Sequence, residues 1–155
     1  MYYKLIRNTP NGKSVTGKLY WTSHYVNKRT GELVERKHYI CDTLENSTSC
    51  VPAGDYVITL LKCKQYSRKM LCLNPSAPCL QCPKLRFVCM NSTLPCYCPQ
   101  IKPGNGVHDR HDGSIIIGVY NCLGSIIHPK SAFDSLYERI RKSISRGNVV
   151  TLTIL

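Results

Sequence analysis

The 155-residue sequence has the usual length of one domain and is long enough to enclose a single hydrophobic core. Its 43% hydrophobic and 19% charged residues exclude a disordered chain, because such a composition can bury enough apolar surface to fold. Lysine and arginine total 21 against 9 for aspartate and glutamate, so the formal net charge of +12 favours an anionic partner.

The N-terminal part of the sequence predicts antiparallel strands joined by tight turns. Tyr2 to Arg7 is a short strand, and strict alternation of apolar and polar residues from Ser14 to Trp21 predicts a half-buried second strand. The segment between them, Asn8 to Gly12, contains a proline and an Asn-Gly pair, which are typical of a hairpin turn. A second hairpin is expected around Lys28 to Gly31.

Three further strands are expected along the rest of the chain. Tyr56 to Cys63 is rich in valine, isoleucine, threonine and leucine, which predicts a central strand. Ser114 to Tyr120 is a short apolar run with β-branched residues, typical of a buried strand. Val149 to Leu155 alternates between apolar and polar residues and predicts a final strand.

One amphipathic helix is expected before that final strand. Ser131 and Asp134 have the spacing of a capping box, so the helix is predicted to begin at Ser131, and Gly147 is expected to end it. Its apolar residues recur at helical spacing: Phe133, Leu136, Tyr137, Ile140 and Ile144. Basic residues lie on the other side of the helix: Arg139, Lys142 and Arg146. The sequence therefore predicts a single α+β domain over residues 1–155, with a mainly antiparallel β-sheet or partly open barrel and one C-terminal helix.

An irregular Cys- and Pro-rich loop region is predicted over residues 72–103, with one convincing strand at Lys84 to Cys89. No acidic residue occurs between Asp55 and Asp109, whereas seven basic residues do: Lys62, Lys64, Arg68, Lys69, Lys84, Arg86 and Lys102. Such a stretch would attract nucleic acid, anionic lipid or an acidic polymer of the cell envelope. The alternative is a solvated basic surface that aids solubility.

The ten cysteines are expected to be reduced thiols, because Met1 to Arg7 lacks the apolar segment of a secretory signal and a cytoplasmic protein is expected. Two short loops bracketed by proline could present four thiolates to one structural zinc ion: Cys79, Cys82, Cys96 and Cys98. The first pair has the usual two-residue gap and the second a gap of one. Free or packed thiols, or disulfides formed after release by host lysis, are the alternatives.

The densest group of potential acids, bases and ligands precedes the strand predicted at Ser114. The group consists of His108, Asp109, Arg110, His111 and Asp112, and Asn105 and Gly106 lie just before it in a turn-rich segment. Loops at strand ends commonly carry chemistry, so these residues are a candidate ligand-binding loop. The alternative is a polar loop whose aspartates hydrogen-bond to its own backbone.

Three short motifs, in this order and at this spacing, resemble the domain-of-unknown-function family 5675 of bacteria, phages and mobile elements. They are Cys41 to Asn46, Val51 to Tyr56, and Gly104 to Gly118, and the resemblance runs from about Leu5 to Arg146. The family has no established activity. Many of its members carry a histidine and a Gly-Cys pair in a pattern similar to that of the L,D-transpeptidases, which remodel peptidoglycan.

If the chain is an enzyme, this resemblance implies peptidoglycan-directed acyl transfer or hydrolysis with His108 as the base. The Gly-Cys position is occupied by Gly113 and Ser114, so the thiolate nucleophile is missing there. A serine hydroxyl needs a stronger neighbouring base than a thiol does. Cys122 is a substitute nucleophile, and Asp112 or Asp109 is a candidate partner that orients the histidine.

Two functional hypotheses follow from the sequence. The first is an accessory domain of phage or mobile-element origin, related to cell-envelope proteins and either active or catalytically inactive, with residues 108–114 lining a groove for a cell-wall polymer. The second is a basic module, stabilised by zinc if the four cysteines bind it, that grips nucleic acid or another polyanion nonspecifically through residues 62–102.

Overall fold

The computed structural model describes residues 1–62, 68–75, 99–104, 113–121 and 125–155. These residues form β1 (Tyr2–Arg7), β2 (Ser14–Val26), β3 (Leu33–Asn46), β4 (Gly54–Lys62), β5 (Lys69–Pro75), β6 (Gln100–Lys102), β7 (Ile115–Tyr120), β8 (Ile126–Ile127), α1 (Pro129–Ser145) and β9 (Thr151–Ile154).

The strands form one mixed sheet in the order β3-β2-β1-β9-β4-β5-β6-β7-β8. Most neighbours are antiparallel, while β1 pairs with β9 and β6 with β7 in parallel. The sheet curls, because the end of β3 also pairs with β7, from Asp42 opposite Gly118 to Leu44 opposite Ile116. The predicted α+β class, with a mainly antiparallel sheet and one C-terminal helix, is confirmed.

Both predicted hairpins are present, and the second is longer than the sequence pattern indicated. Val15 and Leu19 are buried, as the alternation in β2 predicts, but the strand continues to Val26. The pairing register with β3 shifts between Leu19 and Tyr20, so that Ile40 is left as an extra residue on β3. This bulge allows two segments of different pattern to join in one long hairpin.

The apolar stripe of α1 packs onto the sheet as predicted. Phe133, Leu136 and Ile140 are at most 2% exposed and belong to the main core cluster with residues of eight strands. The helix begins at Pro129, however, and not at Ser131. Proline has a fixed φ that suits the first helical position, and the Ser131 hydroxyl donates a hydrogen bond to the His128 carbonyl.

Both ends of the predicted irregular region belong to strands. Cys72 to Pro75 forms the second half of β5, and Gln100 to Lys102 forms β6. β6 has only three residues and pairs with β5 and β7, which are distant in sequence, so local sequence pattern gives little indication of it. The strand predicted at Lys84 to Cys89 lies outside the described residues.

Candidate functional site

Of the candidate catalytic and ligand-binding residues, only Ser114 lies in the part of the chain that the structure describes. The others lie outside it: Asn105, Gly106, His108, Asp109, Arg110, His111, Asp112 and Cys122. Ser114 directly precedes β7 and is only 6% exposed. A side chain added at Gly113 would come within 3.3 Å of the Ser49 carbonyl oxygen, so this corner packs against the turn after β3.

Polar side chains are buried on both strands that flank this corner. Gln100 and Lys102 of β6 are 1% and 3% exposed, and Asn46 at the end of β3 is 9% exposed. Lys102 is opposite Ile116 in the parallel β6–β7 pair. The start of β7, including Ser114, therefore lies in a packed, polar part of the interior. A nucleophile for acyl transfer has to be accessible to its substrate, and Ser114 is not exposed in this way.

The four predicted zinc ligands, Cys79, Cys82, Cys96 and Cys98, also lie outside the described residues. Of the thiols in the described segments, Cys41 and Cys72 are buried and Cys50 is half-buried. Burial raises the pKa of the Cys41 thiol to about 12, which keeps it protonated and unreactive near neutral pH. Within the described segments no group of three or more metal-ligating side chains occurs.

The basic stretch presents less free charge than the sequence suggested. Arg68 forms an ion pair with Asp134 at 3.0 Å and lies 4.8 Å from the centroid of the Phe133 ring. Lys102 is buried. Among the members of this stretch that the structure describes, Lys62 and Lys69 are left as exposed cations, and they face each other across β4 and β5.

A second group of cations surrounds a cavity of about 250 Å³ beside the C-terminal half of α1. We call it the helix cavity, and its lining residues are Met1, Arg139, Lys142, Ser143, Arg146 and Asn148. The three basic residues have i, i+3 and i+7 spacing, so they share one side of the helix. Within the described residues, none of the three forms an ion pair with a carboxylate.

Met1 also lines the helix cavity. The parallel pairing of β1 with β9 brings Met1 beside the segment that follows α1, and its ammonium group donates a hydrogen bond to the Val149 carbonyl at 2.8 Å. The Arg139 guanidinium lies 5.8 Å from the centroid of the Trp21 ring, and that ring stacks on His38 at 4.7 Å. The cavity is therefore strongly cationic and has an aromatic border.

A polar groove of about 320 Å³ lies on the outer face of β2 and β3, opposite the core. We call it the tyrosine groove, and its lining residues are Asn8, Thr16, Gly17, Lys18, Tyr39, Asp42 and Tyr120. The Tyr120 amide donates a hydrogen bond to Asp42 Oδ2 at 2.9 Å. Burial of the hydroxyl and its hydrogen bond to Asp42 raise the pKa of Tyr39 to about 12, so this hydroxyl stays protonated.

Local sequence pattern could identify only part of these two sites. The spacing of Arg139, Lys142 and Arg146 is visible in the sequence, where they form the polar side of the predicted helix. Nothing local indicates that Met1 joins them, because that depends on the pairing of the first strand with the last. The tyrosine groove depends in the same way on the pairing of β3 with β7.

No model of a protein family matches the chain, and neither a curated protein nor a solved structure matches it. The resemblance to family 5675 therefore stays a prediction from sequence motifs. In the described segments there is no helix of the length and apolar character needed to cross a membrane.

Proposed function

We propose that this protein is a noncatalytic module that binds polyanions, and that the helix cavity forms its binding face. One observation carries the proposal: Arg139, Lys142 and Arg146 converge on a single cavity, and none of them forms an ion pair with a carboxylate among the described residues. Unpaired lysines and arginines on one surface bind phosphate groups and release the counterions condensed on a nucleic acid.

The long β2–β3 hairpin supports a polymer as the ligand. Arg36 is exposed and lies on the same face of β3 as His38, two residues away, which stacks on Trp21 beside Arg139. Lys28 and Arg29 are exposed at the tip of the hairpin. Positive charge therefore extends from the helix cavity along the hairpin, further than one small anion would need.

This binding face differs from the one that the sequence suggested. The basic stretch contributes Lys62 and Lys69 on the far edge of β4 and β5, whereas the helix cavity lies beside β1 and β9. The two surfaces can be separated by variants that remove the same charge. The first is the triple variant Arg139→Gln, Lys142→Gln and Arg146→Gln. Its control is Lys62→Gln and Lys69→Gln together with Lys13→Gln, which removes an exposed lysine of the turn between β1 and β2 so that the total charge lost is the same.

Titration of duplex and single-stranded DNA at about 50 and 200 mM salt tests the proposal, because phosphate contacts make affinity fall steeply with salt. We expect the parent protein to bind weakly and without sequence preference. The helix-cavity variant should lose about 0.9 in the salt slope for each phosphate contact removed, while the control keeps its slope. Equal losses in both variants, or salt-insensitive binding by the parent, would contradict this assignment.

The resemblance to family 5675 supports a second proposal, an accessory domain of phage or mobile-element origin that meets cell-wall polymer without acting on it. The burial of Ser114 supports the absence of catalysis in this proposal.

A structural zinc held by Cys79, Cys82, Cys96 and Cys98 is a separate proposal. Metal analysis of protein purified without chelator should then find one zinc per chain, and Cys79→Ser should lose it while Cys50→Ser keeps it.

A further inference from the structure

The tyrosine groove has features that a polyanion site does not need. Its charged lining residues, Lys18 and Asp42, are opposite each other in the β2–β3 pair and cancel in net charge. A phosphate polymer gains nothing from such a site, because the carboxylate repels it. The groove therefore fits a different ligand from the one proposed for the helix cavity.

The hydrogen-bonding groups of the groove are held by the fold. Asp42 Oδ2 accepts from the Tyr120 amide, which fixes the carboxylate against the end of β7. The Tyr39 side chain lines the groove together with this carboxylate and packs edge-on against Tyr20, with the ring centroids 6.2 Å apart. A ligand would meet acceptors and donors that are already oriented, which lowers the entropy cost of binding.

Aromatic surface is exposed beside these polar groups. Tyr39 is 52% and Tyr120 40% exposed, although each lies next to a fixed carboxylate. Tyrosine offers an apolar ring face together with a polar hydroxyl. The combination matches a ligand that has apolar C–H faces and a rim of hydroxyl groups.

We propose that the tyrosine groove binds one or two pyranose units of an uncharged glycan. A pyranose ring presents axial C–H groups to an aromatic face and neighbouring hydroxyls to a carboxylate, an ammonium and a phenol. The volume of about 320 Å³ is at the lower end of small-molecule sites, which suits one or two sugar rings. This assignment uses none of the helix-cavity residues and stands independently of polyanion binding.

Titration of isotope-labelled full-length protein with chitotetraose, cellotetraose and maltotetraose, followed by NMR, tests the proposal. We expect at least one of these uncharged probes to give saturable shifts at Tyr39, Asp42 and Tyr120. Asp42→Asn should weaken that binding about tenfold, since it removes a charge-assisted acceptor. Tyr120→Ala should weaken it similarly, whereas Tyr25→Ala, an equally exposed tyrosine near the hairpin tip, should have no effect.

Two comparisons separate this site from the helix cavity. Glycan binding should be unchanged between about 50 and 500 mM salt, because no ion pair with the ligand is involved. The triple helix-cavity variant should bind the glycan as the parent does. No saturable shift with any of the three probes at millimolar concentration, or shifts that map to the helix cavity, would overturn the assignment.

Discussion

The guanidinium of Arg7 and the carboxylate of Glu45 form an ion pair through two parallel hydrogen bonds, Nε to Oε2 at 2.8 Å and Nη2 to Oε1 at 2.7 Å. The Glu45 side chain is 1% exposed and that of Arg7 13%. The same two groups hold Val51, whose carbonyl accepts from Arg7 and whose amide donates to Glu45. The pair thus fastens the end of β1 to β3 and to the segment that enters β4.

Replacing Arg7 with methionine should destabilise the protein by about 3 kcal/mol, because a buried carboxylate would lose its countercharge. The double variant Arg7→Met/Glu45→Leu should recover part of that loss. Arg141→Gln is the matched control, since Arg141 and Glu138 form an exposed pair in which both side chains are 50% exposed. That control should leave the free energy of unfolding almost unchanged, because water screens an exposed pair. Denaturant unfolding measures all three, and equal losses in Arg7→Met and Arg141→Gln would contradict the interpretation.

Gly118→Ala should lower the free energy of unfolding by about 2 kcal/mol, because there is no space for the added methyl group. A Cβ at this position would lie 2.2 Å from Ile126 Cγ2 and 2.6 Å from the Ile127 carbonyl oxygen. Combining it with Ile126→Ala should cost less than the sum of the two single changes, since the shorter side chain removes one of the clashes. Thermal unfolding gives the comparison, and strict additivity would show that Ile126 is not what excludes the methyl.

The sequence predicts the buried residues correctly where apolar side chains recur with the period of a strand or a helix. Alternation placed Val15 and Leu19 in the core, and helical spacing placed Phe133 and Ile140 there as well. The start of α1 differs from the prediction, because the capping spacing points to Ser131, whereas the helix begins at Pro129, whose ring suits a first helical position. A serine at a helix start can bond a carbonyl within the first turn without being the cap.

The candidate sites depended on information that no local pattern contains. The helix cavity needs the first strand paired with the last, and the tyrosine groove needs β3 paired with β7. Charge counting over residues 62–102 could not reveal that Arg68 is paired with Asp134 or that Lys102 is buried. Net charge predicts the sign of the charge on a binding partner, but it does not predict which surface of the protein binds that partner.

Stability should fall at high pH through two buried acids. Burial raises the pKa of Tyr3 to about 12 from 10.0, and that of Cys41 to about 12 from 9.0. Both groups ionise at a higher pH in the folded protein than in the unfolded chain. Their contribution to the free energy of unfolding is therefore complete below pH 9 and is lost as the pH rises towards 12. The free energy of unfolding of the parent should therefore decrease between those limits.

The variants Tyr3→Phe and Cys41→Val should each flatten this alkaline decrease, because each removes one of the buried ionisable groups. Tyr25→Phe serves as the control, since Tyr25 is 51% exposed. Denaturant unfolding at a series of pH values from 8 to 12 would show the difference as a slope. Identical slopes in the parent and in both core variants would mean that the two groups do not titrate as their burial requires.

We expect no exchange or cleavage of muropeptide stems by this protein, although its sequence around His108 and Ser114 resembles the L,D-transpeptidase pattern. Acyl transfer needs a nucleophile within hydrogen-bond reach of its base and open to the substrate. Ser114, which the resemblance to family 5675 places at the Gly-Cys position, is only 6% exposed. Incubation with purified muropeptides, alongside an active L,D-transpeptidase, gives the measurement by mass spectrometry. Turnover that disappears in His108→Ala and in either Ser114→Ala or Cys122→Ala, with the fold intact, would instead identify the base and the nucleophile of an enzyme.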